Sequence, residues 1–206
     1  MIHVRPYTLA DYPCLLQVQK EAFPPPFSQE LWWSEEQIAA QTKTFPEGAL
    51  LAEVDGEIVG SATSLVVSNA DKPHTWEEIS DNGFLRQTHD PNGDTLYGID
   101  LCVRPVARGN GVAQAMYNAR KQTVLNLKLK RYAAVCRIPG YKAVAKHYSP
   151  QQYVDLVKSG DYYDTVLSFM LKQGLTPTHV QPNYVEDEES LNYGVFVEWK
   201  PKNSTS

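Results

Sequence analysis

The stretch YGIDLCVRPVARGNGVA, from Tyr97 to Ala113, decides the reading of this chain. An apolar strand enters a turn at Pro105, and the turn enters Arg108-Gly109-Asn110-Gly111-Val112-Ala113. A helical pattern follows, with Ala113, Met116, Tyr117 and Arg120 three or four residues apart. The order is strand, glycine-bearing loop, helix N-terminus. The first turn of a helix has backbone N–H groups with no internal partner, and its dipole adds partial positive charge there. Such a site suits a phosphate. Gly109 and Gly111 let a pyrophosphate approach the backbone, and Arg108 adds a positive charge. An ordinary glycine-bearing turn before a surface helix is the competing reading.

Composition bounds the alternatives. The chain has 206 residues, 42% hydrophobic and 21% charged, which predicts one soluble domain over 1–200 with a sizeable core. A net charge of -5 without a basic run argues against nucleic acid as a partner. Cys14, Cys102 and Cys136 are widely spaced, with no CxxC, so neither a disulfide framework nor a zinc site is expected. No His/Cys/Asp/Glu spacing suggests any other metal. The N-terminus lacks a signal-peptide apolar region, and no apolar run approaches the ~20 residues of a membrane span. The expected location is cytoplasmic, with no membrane partner.

Along the chain, Ile2 to Arg5 reads as a strand, and Thr8 caps a helix through Asp11 to Phe23 that Pro24-Pro25-Pro26 stops. A second helix is predicted over Gln29 to Gln41. Gly48 to Val54 and Glu57 to Val67 alternate around Asp55-Gly56, a hairpin with a type I′-like turn. Residues 68–93 break the pattern and read as an insertion between strands, with a short helix from Thr75 to Asp81. A lid and a solvated surface excursion are both open for it. Thr95 to Val103 is the central strand, and the helix after the loop reaches Leu127. Tyr132 to Cys136, Leu175 to Val180 and Tyr193 to Trp199 are the remaining strands. Helices are predicted near Gln151 to Lys158 and from Thr165 to Gln173, the latter ended by Gly174. Residues 201–206 read as a frayed, disordered tail.

The loop lacks the Gly-Lys-Ser/Thr of a P-loop, and Gln114 stands where a dinucleotide fingerprint needs its third glycine. It fits Q/R-x-x-G-x-G/A, and so resembles the pyrophosphate loop of the GNAT acyl-CoA N-acyltransferases. Asp100 to Pro105 (DLCVRP) resembles the strand that family places before its loop. The segments at Thr88–Val103, Ala134–Tyr141, Tyr163–Gly174 and Tyr184–Trp199 look like the acetyltransferase domains fused ahead of carbon-nitrogen hydrolase domains. Because the chain ends after that part, the resemblance implies a stand-alone member. It covers essentially the whole chain. It implies an α/β (α+β) GNAT fold: a mixed, mostly antiparallel sheet of about seven strands, splayed around an acyl-CoA cleft and flanked by helices. It also implies acetyl-CoA as cofactor, and an amine of a small molecule or peptide as acceptor. A homodimer is left open.

On this resemblance the pyrophosphate is held by Arg108, Gly109, Asn110, Gly111, Val112 and Ala113, and the pantetheine arm by the backbone of Leu101, Cys102 and Val103. Acetyl transfer then needs a base for the amine, N–H donors for the thioester carbonyl and a proton for the leaving thiolate. Asp100 interrupts an apolar strand, where a carboxylate is costly without a partner. It is the candidate base, with a structural carboxylate as the alternative. The family often places a Glu one residue earlier or further up this strand; here Ile99, Gly98 and Tyr97 stand there. Many members carry a Tyr four residues before the glycine ending the late helix; here that position is Met170. Tyr141, Tyr162 and Tyr163 are alternative proton donors, with Tyr141 and Tyr163 the ones adopted. Arg137 is the candidate acceptor contact, with a structural salt bridge as its alternative. His89 and His147 read as solvated loop residues, and Glu186-Asp187-Glu188-Glu189 as a solvated run. Cys102 and Cys136 are expected to pack beside the cleft, so transfer is direct attack in a ternary complex. The rival reading is a non-catalytic acyl-CoA-binding sensor, favoured by Met170 and the absent Glu.

Overall fold

The computed structural model describes residues 1–25 and 28–202. Pro26 of the proline run and residues 203–206 of the expected tail lie outside them. Seven strands form one sheet in the order β1-β2-β3-β4-β5-β7-β6. They are β1 (Ile2–Pro6), β2 (Ala49–Val54), β3 (Glu57–Val67), β4 (Thr95–Val103), β5 (Arg131–Arg137), β6 (Thr176–Gln181) and β7 (Gly194–Trp199). All neighbours are antiparallel except β4 and β5. This is the mixed sheet the sequence implied. The β2–β3 turn has Asp55 and Gly56 both left-handed, at φ 52° and 86°, as a type I′ turn requires.

Helices α1 (Tyr12–Ala22), α2 (Glu35–Thr44) and α3 (Trp76–Ser80) supply one side of the sheet, where Leu15, Ile38 and Trp33 of the connection before α2 pack against Leu65, Tyr97 and Ile99. Helices α4 (Val112–Asn126), α5 (Pro150–Ser159) and α6 (Leu167–Lys172) supply the other. The inward stripe of α4 is Val112, Met116, Tyr117, Arg120 and Val124. One helix differs from expectation. Gln29 to Gln41 is not continuous: a 3-10 turn (Gln29–Leu31) precedes an extended Trp32, and α2 starts only after Ser34. The cause is a capping box. Ser34 Oγ accepts the Gln37 N–H at 3.1 Å and Gln37 Oε1 accepts the Ser34 N–H at 2.8 Å.

The sheet parts at its centre. β4 pairs with β5 only from Thr95–Arg131 to Gly98–Ala134. Beyond that point β5 pairs only with β7 (Val135 with Phe196, Cys136 with Val195). A bulge coincides with the parting. Thr63 of β3 opposes Asp100 and Ser64 opposes Gly98, so Ile99 has no partner of its own. One extra residue reverses the alternation of everything after it. Tyr97 and Ile99 face α1–α3, whereas Leu101 and Val103 pack with Val112 and Met116 of α4. Asp100 and Cys102 are thereby turned to the α1–α2 side, where Cys102 Sγ meets Ser61 Oγ at 3.3 Å.

Gly98 carries part of this arrangement. A Cβ there would fall on Tyr132 Oη, with the Arg120 guanidinium carbon 3.2 Å away. Gly98→Ala is expected to cost about 2–3 kcal/mol by overpacking. Tyr132→Phe in the same chain should recover part of that loss, because the hydroxyl is the atom in the way. Urea unfolding of the two variants checks this.

Candidate functional site

The loop after β4 has the form a phosphate needs. Gly109 and Gly111 adopt φ 79° and 82°, a region open to glycine and costly for other residues. A Cβ at Gly109 would meet nothing within 4 Å, and one at Gly111 only Ile2 Cδ1 at 3.8 Å, so the cradle is open on its outer side. The first bond of α4 runs from the Ala115 N–H to Gly111 O at 2.9 Å. The N–H groups of Val112, Ala113 and Gln114 precede it, and no side chain caps them. These residues fit an acyl-CoA pyrophosphate. Arg108 is exposed, with Nε donating to Val103 O at 3.2 Å. Arg104 is committed elsewhere, to Glu21 at 2.7 Å and to Glu57.

From the loop, Val103, Cys102 and Leu101 lead back to the bulge along the β4 edge that β5 has left. Asp100 lies at the bulge. Oδ2 is enclosed and has no hydrogen-bond partner among the described residues. Burial pushes the carboxyl up to about 6. Arg120 pulls against that shift through space, followed by the Gln19 and Trp33 side chains and the Leu101 N–H. Trp33 Nε1, likewise enclosed, is the indole N–H through which that side chain acts on the carboxyl. A carboxyl on a half-buried residue, with one oxygen enclosed and poised near neutrality beside a parted strand edge, is a feature of functional sites.

The other sequence candidates separate from this centre. Tyr141 is buried, and its hydroxyl donates to Tyr148 O at 3.0 Å, which ties it to the core under α5. Tyr163 lies on the surface, 64% exposed. Arg137 does not pair with Asp100. Its fork holds Asp187 at 2.6 and 2.7 Å and reaches Glu189 at 2.8 Å. The acidic run is thus tied down by Arg137, and by Lys142 on Glu188, rather than solvated throughout. Burial pushes the Cys102 and Cys136 thiols upward, away from the nucleophilic thiolate. Met170 Sδ accepts the Tyr117 hydroxyl at 3.0 Å. His89 is not merely solvated: its Nδ1 accepts the Val66 N–H at 3.2 Å.

Two contributors escaped the sequence reading. Arg120 is 2% exposed and donates to Thr63 O and Tyr132 Oη, both at 2.9 Å, and to Asp100 O. Its signal was an arginine on the apolar stripe of α4. Trp76, in the insertion, donates from Nε1 to Ile99 O at 2.9 Å and stacks on Trp33 with ring centres 6.0 Å apart. The insertion is further fixed by His74 on the Tyr97 hydroxyl at 2.8 Å and by Gln41 on Gly83 O at 2.8 Å. It is packed structure against the bulge.

The chain with this parted parallel strand pair, bulge and glycine-bearing loop belongs to the acetyltransferase (GNAT) family, whose model matches residues 12–147. It is 46% identical over 199 residues to the uncharacterized N-acetyltransferase YkwB of Bacillus subtilis, covering 96% of this chain and 88% of that one. It is 36% identical to the probable hydrolase YhcX of the same organism, covering 90% of this chain but only 36% of the relative. The fold is shared with a GNAT-like decarboxylase, GphF, solved with isobutyryl-CoA, at a TM-score of 0.78 and 22% identity, over 96% of this chain and 98% of that one. Among the described residues no helix is long and apolar enough to cross a membrane, and no group of three or more His, Cys, Asp or Glu residues could hold a metal.

Two outcomes follow. Gly111→Trp should remove measurable CoA binding in a calorimetric titration while the circular dichroism of the sheet is retained. The second concerns stability. The Asp100 carboxyl titrates higher folded than unfolded, so this group favours the folded state most at low pH. That contribution fades as pH rises from the unfolded value through about 6. Asp100→Asn should therefore be more stable than the parent at pH 8, by up to roughly 3 kcal/mol, with the gap closing toward pH 4.

Proposed function

We propose that the protein is an acyl-CoA-dependent N-acyltransferase that moves an acetyl group from acetyl-CoA to a primary amine of a small molecule or peptide. The observation that carries this reading is the opposition of two features across one strand. The vacated β4 edge and the open N-terminus of α4 lie where a thioester donor would lie, and the Asp100 carboxyl is turned to the opposite, α1–α2 side.

Acetyl-CoA supplies an activated acyl group; the chain's own residues bind, orient and move protons. Val112, Ala113 and Gln114 present N–H groups to the pyrophosphate, with Gly109 and Gly111 leaving room for it. The Leu101–Val103 backbone orients the pantetheine arm along the gap. Fixing the donor in this way supplies a large share of the barrier reduction. Asp100, ionised above about pH 6, takes a proton from the incoming ammonium, directly or through one water. The neutral amine nitrogen then bonds to the acyl carbon as the carbon–sulfur bond breaks, and its remaining surplus proton passes to solvent. The thiolate takes its proton from solvent, since Tyr141 is committed to Tyr148 O and Met170 has no proton to give. Cys102 stays protonated, which supports direct transfer over an acyl-enzyme.

A CoA-binding module without turnover is the second reading, and the enclosure of Asp100 Oδ2 beside Trp33 is the observation in its favour. Thiol release from acetyl-CoA, measured against a panel of amines and short peptides, separates the two. The transferase reading predicts amine-dependent release whose kcat/KM falls about tenfold per pH unit below about pH 6. Asp100→Asn should lower kcat/KM by about 100-fold or more with CoA affinity nearly unchanged. CoA binding with no release on any amine would favour the sensor.

A further inference from the structure

At the bulge three backbone carbonyls, Thr63 O of β3 and Ile99 O and Asp100 O of β4, each accept a side-chain donor. On one side of the sheet Arg120, from α4, holds Thr63 O and Asp100 O, while its other terminal nitrogen holds Tyr132 Oη of β5. On the other side Trp76, from the insertion, holds Ile99 O. A buried carbonyl without a donor costs as much as a lost hydrogen bond. These bonds therefore fix where β4 bends and how far its edge stands from β5. We propose that Arg120 and Trp76 are positioning residues for acyl transfer: gripping the bulge from both faces, they hold the Leu101–Val103 edge and the Asp100 side chain in register with the donor loop. This rests on the acyltransferase reading of the site.

The arrangement is specific to a fork and an indole. A lysine ammonium on a flexible stem cannot span Thr63 O, Asp100 O and Tyr132 Oη in the planar geometry of a guanidinium. Phenylalanine at position 76 keeps a ring on Trp33 and loses the N–H. Arg120 sits on the same helix whose N-terminus forms the phosphate cradle, so one rigid element carries both the donor loop and the grip on the bulge. Arg120 also makes no direct ion pair with the Asp100 carboxylate, yet its charge favours the ionised form through space. Tyr7 and Cys102, both buried and both neutral near pH 7, also interact electrostatically with this carboxyl. Arg120 is the cation among the groups that act on it most strongly.

The test uses two kinds of readout on the full chain. Carboxyl-labelled aspartate, with Asp100 assigned by its loss in Asp100→Asn, reports the titration of Asp100 by NMR without any turnover. Arg120→Met should raise its midpoint by about one pH unit, a tenfold change in proton affinity, and Arg120→Lys should leave it close to that of the parent. Steady-state thiol release reads the positioning itself. Arg120→Lys and Trp76→Phe should each lower kcat at saturating acetyl-CoA and amine by about tenfold or more, with CoA affinity within about twofold. Should Arg120→Met fail to fold, the Lys and Phe variants still decide the positioning role. An unmoved Asp100 midpoint in folded Arg120→Met, or parental kcat in both Arg120→Lys and Trp76→Phe, would overturn the proposal. A parent protein that releases no thiol would overturn the acyltransferase reading alone, and the NMR midpoints would still judge whether Arg120 governs Asp100.

Discussion

The structure depends on a single unpaired residue in its central strand. Ile99 has no partner on β3, and that one-residue excess reverses the side-chain alternation of β4. Without it, Leu101 and Val103 would face the α1–α3 side together with Ile99, and Asp100 would sit among the apolar residues of α4. With it, the apolar pair seals the α4 side and the carboxyl is turned to the α1–α2 side. The same irregularity coincides with the end of β4–β5 pairing. A parted strand pair, a free strand edge and a displaced carboxyl therefore meet at one irregularity.

Such an irregularity persists only if its backbone groups find partners. Here they do, through Arg120 on one face and Trp76 on the other. Gly98 leaves the space that Tyr132 Oη and the guanidinium occupy. The insertion between β3 and β4 acquires a physical role from this. Trp76, His74 and Gly83 connect it to β4 and α2. The burial of a cation in this setting is costly unless its donors are used, and Arg120 uses both terminal nitrogens on the bulge and on β5.

Much of the fold was legible because its signals are local. The alternation around Asp55-Gly56 marked a hairpin, and Arg108 to Ala113 marked a loop that opens a helix. Gly174 marked the end of α6 with its left-handed φ of 80°. The break in the second helix was also written locally, in the Ser34–Gln37 capping box, through which the expected helix over Gln29 to Gln41 ran. The candidate site was less legible because it is made by contacts distant in sequence. Arg137 lies 50 residues from Asp187, which claims it. Arg120 lies 57 residues from Thr63, and nothing in either neighbourhood announces the other. Tyr141 and Tyr163 have the chemistry of a proton donor, but one hydroxyl is spent on a backbone carbonyl and the other lies on the surface.

The central claim is that the vacated β4 edge and the open first turn of α4 form one continuous site for an acyl-CoA. Amide hydrogen exchange with and without CoA tests it most directly. The account predicts slowed exchange in two segments together, Leu101 to Val103 and Gly109 to Gln114, with the β1–β2 edge of the sheet unchanged. Protection at the loop alone, or at neither segment under saturating CoA, would contradict it.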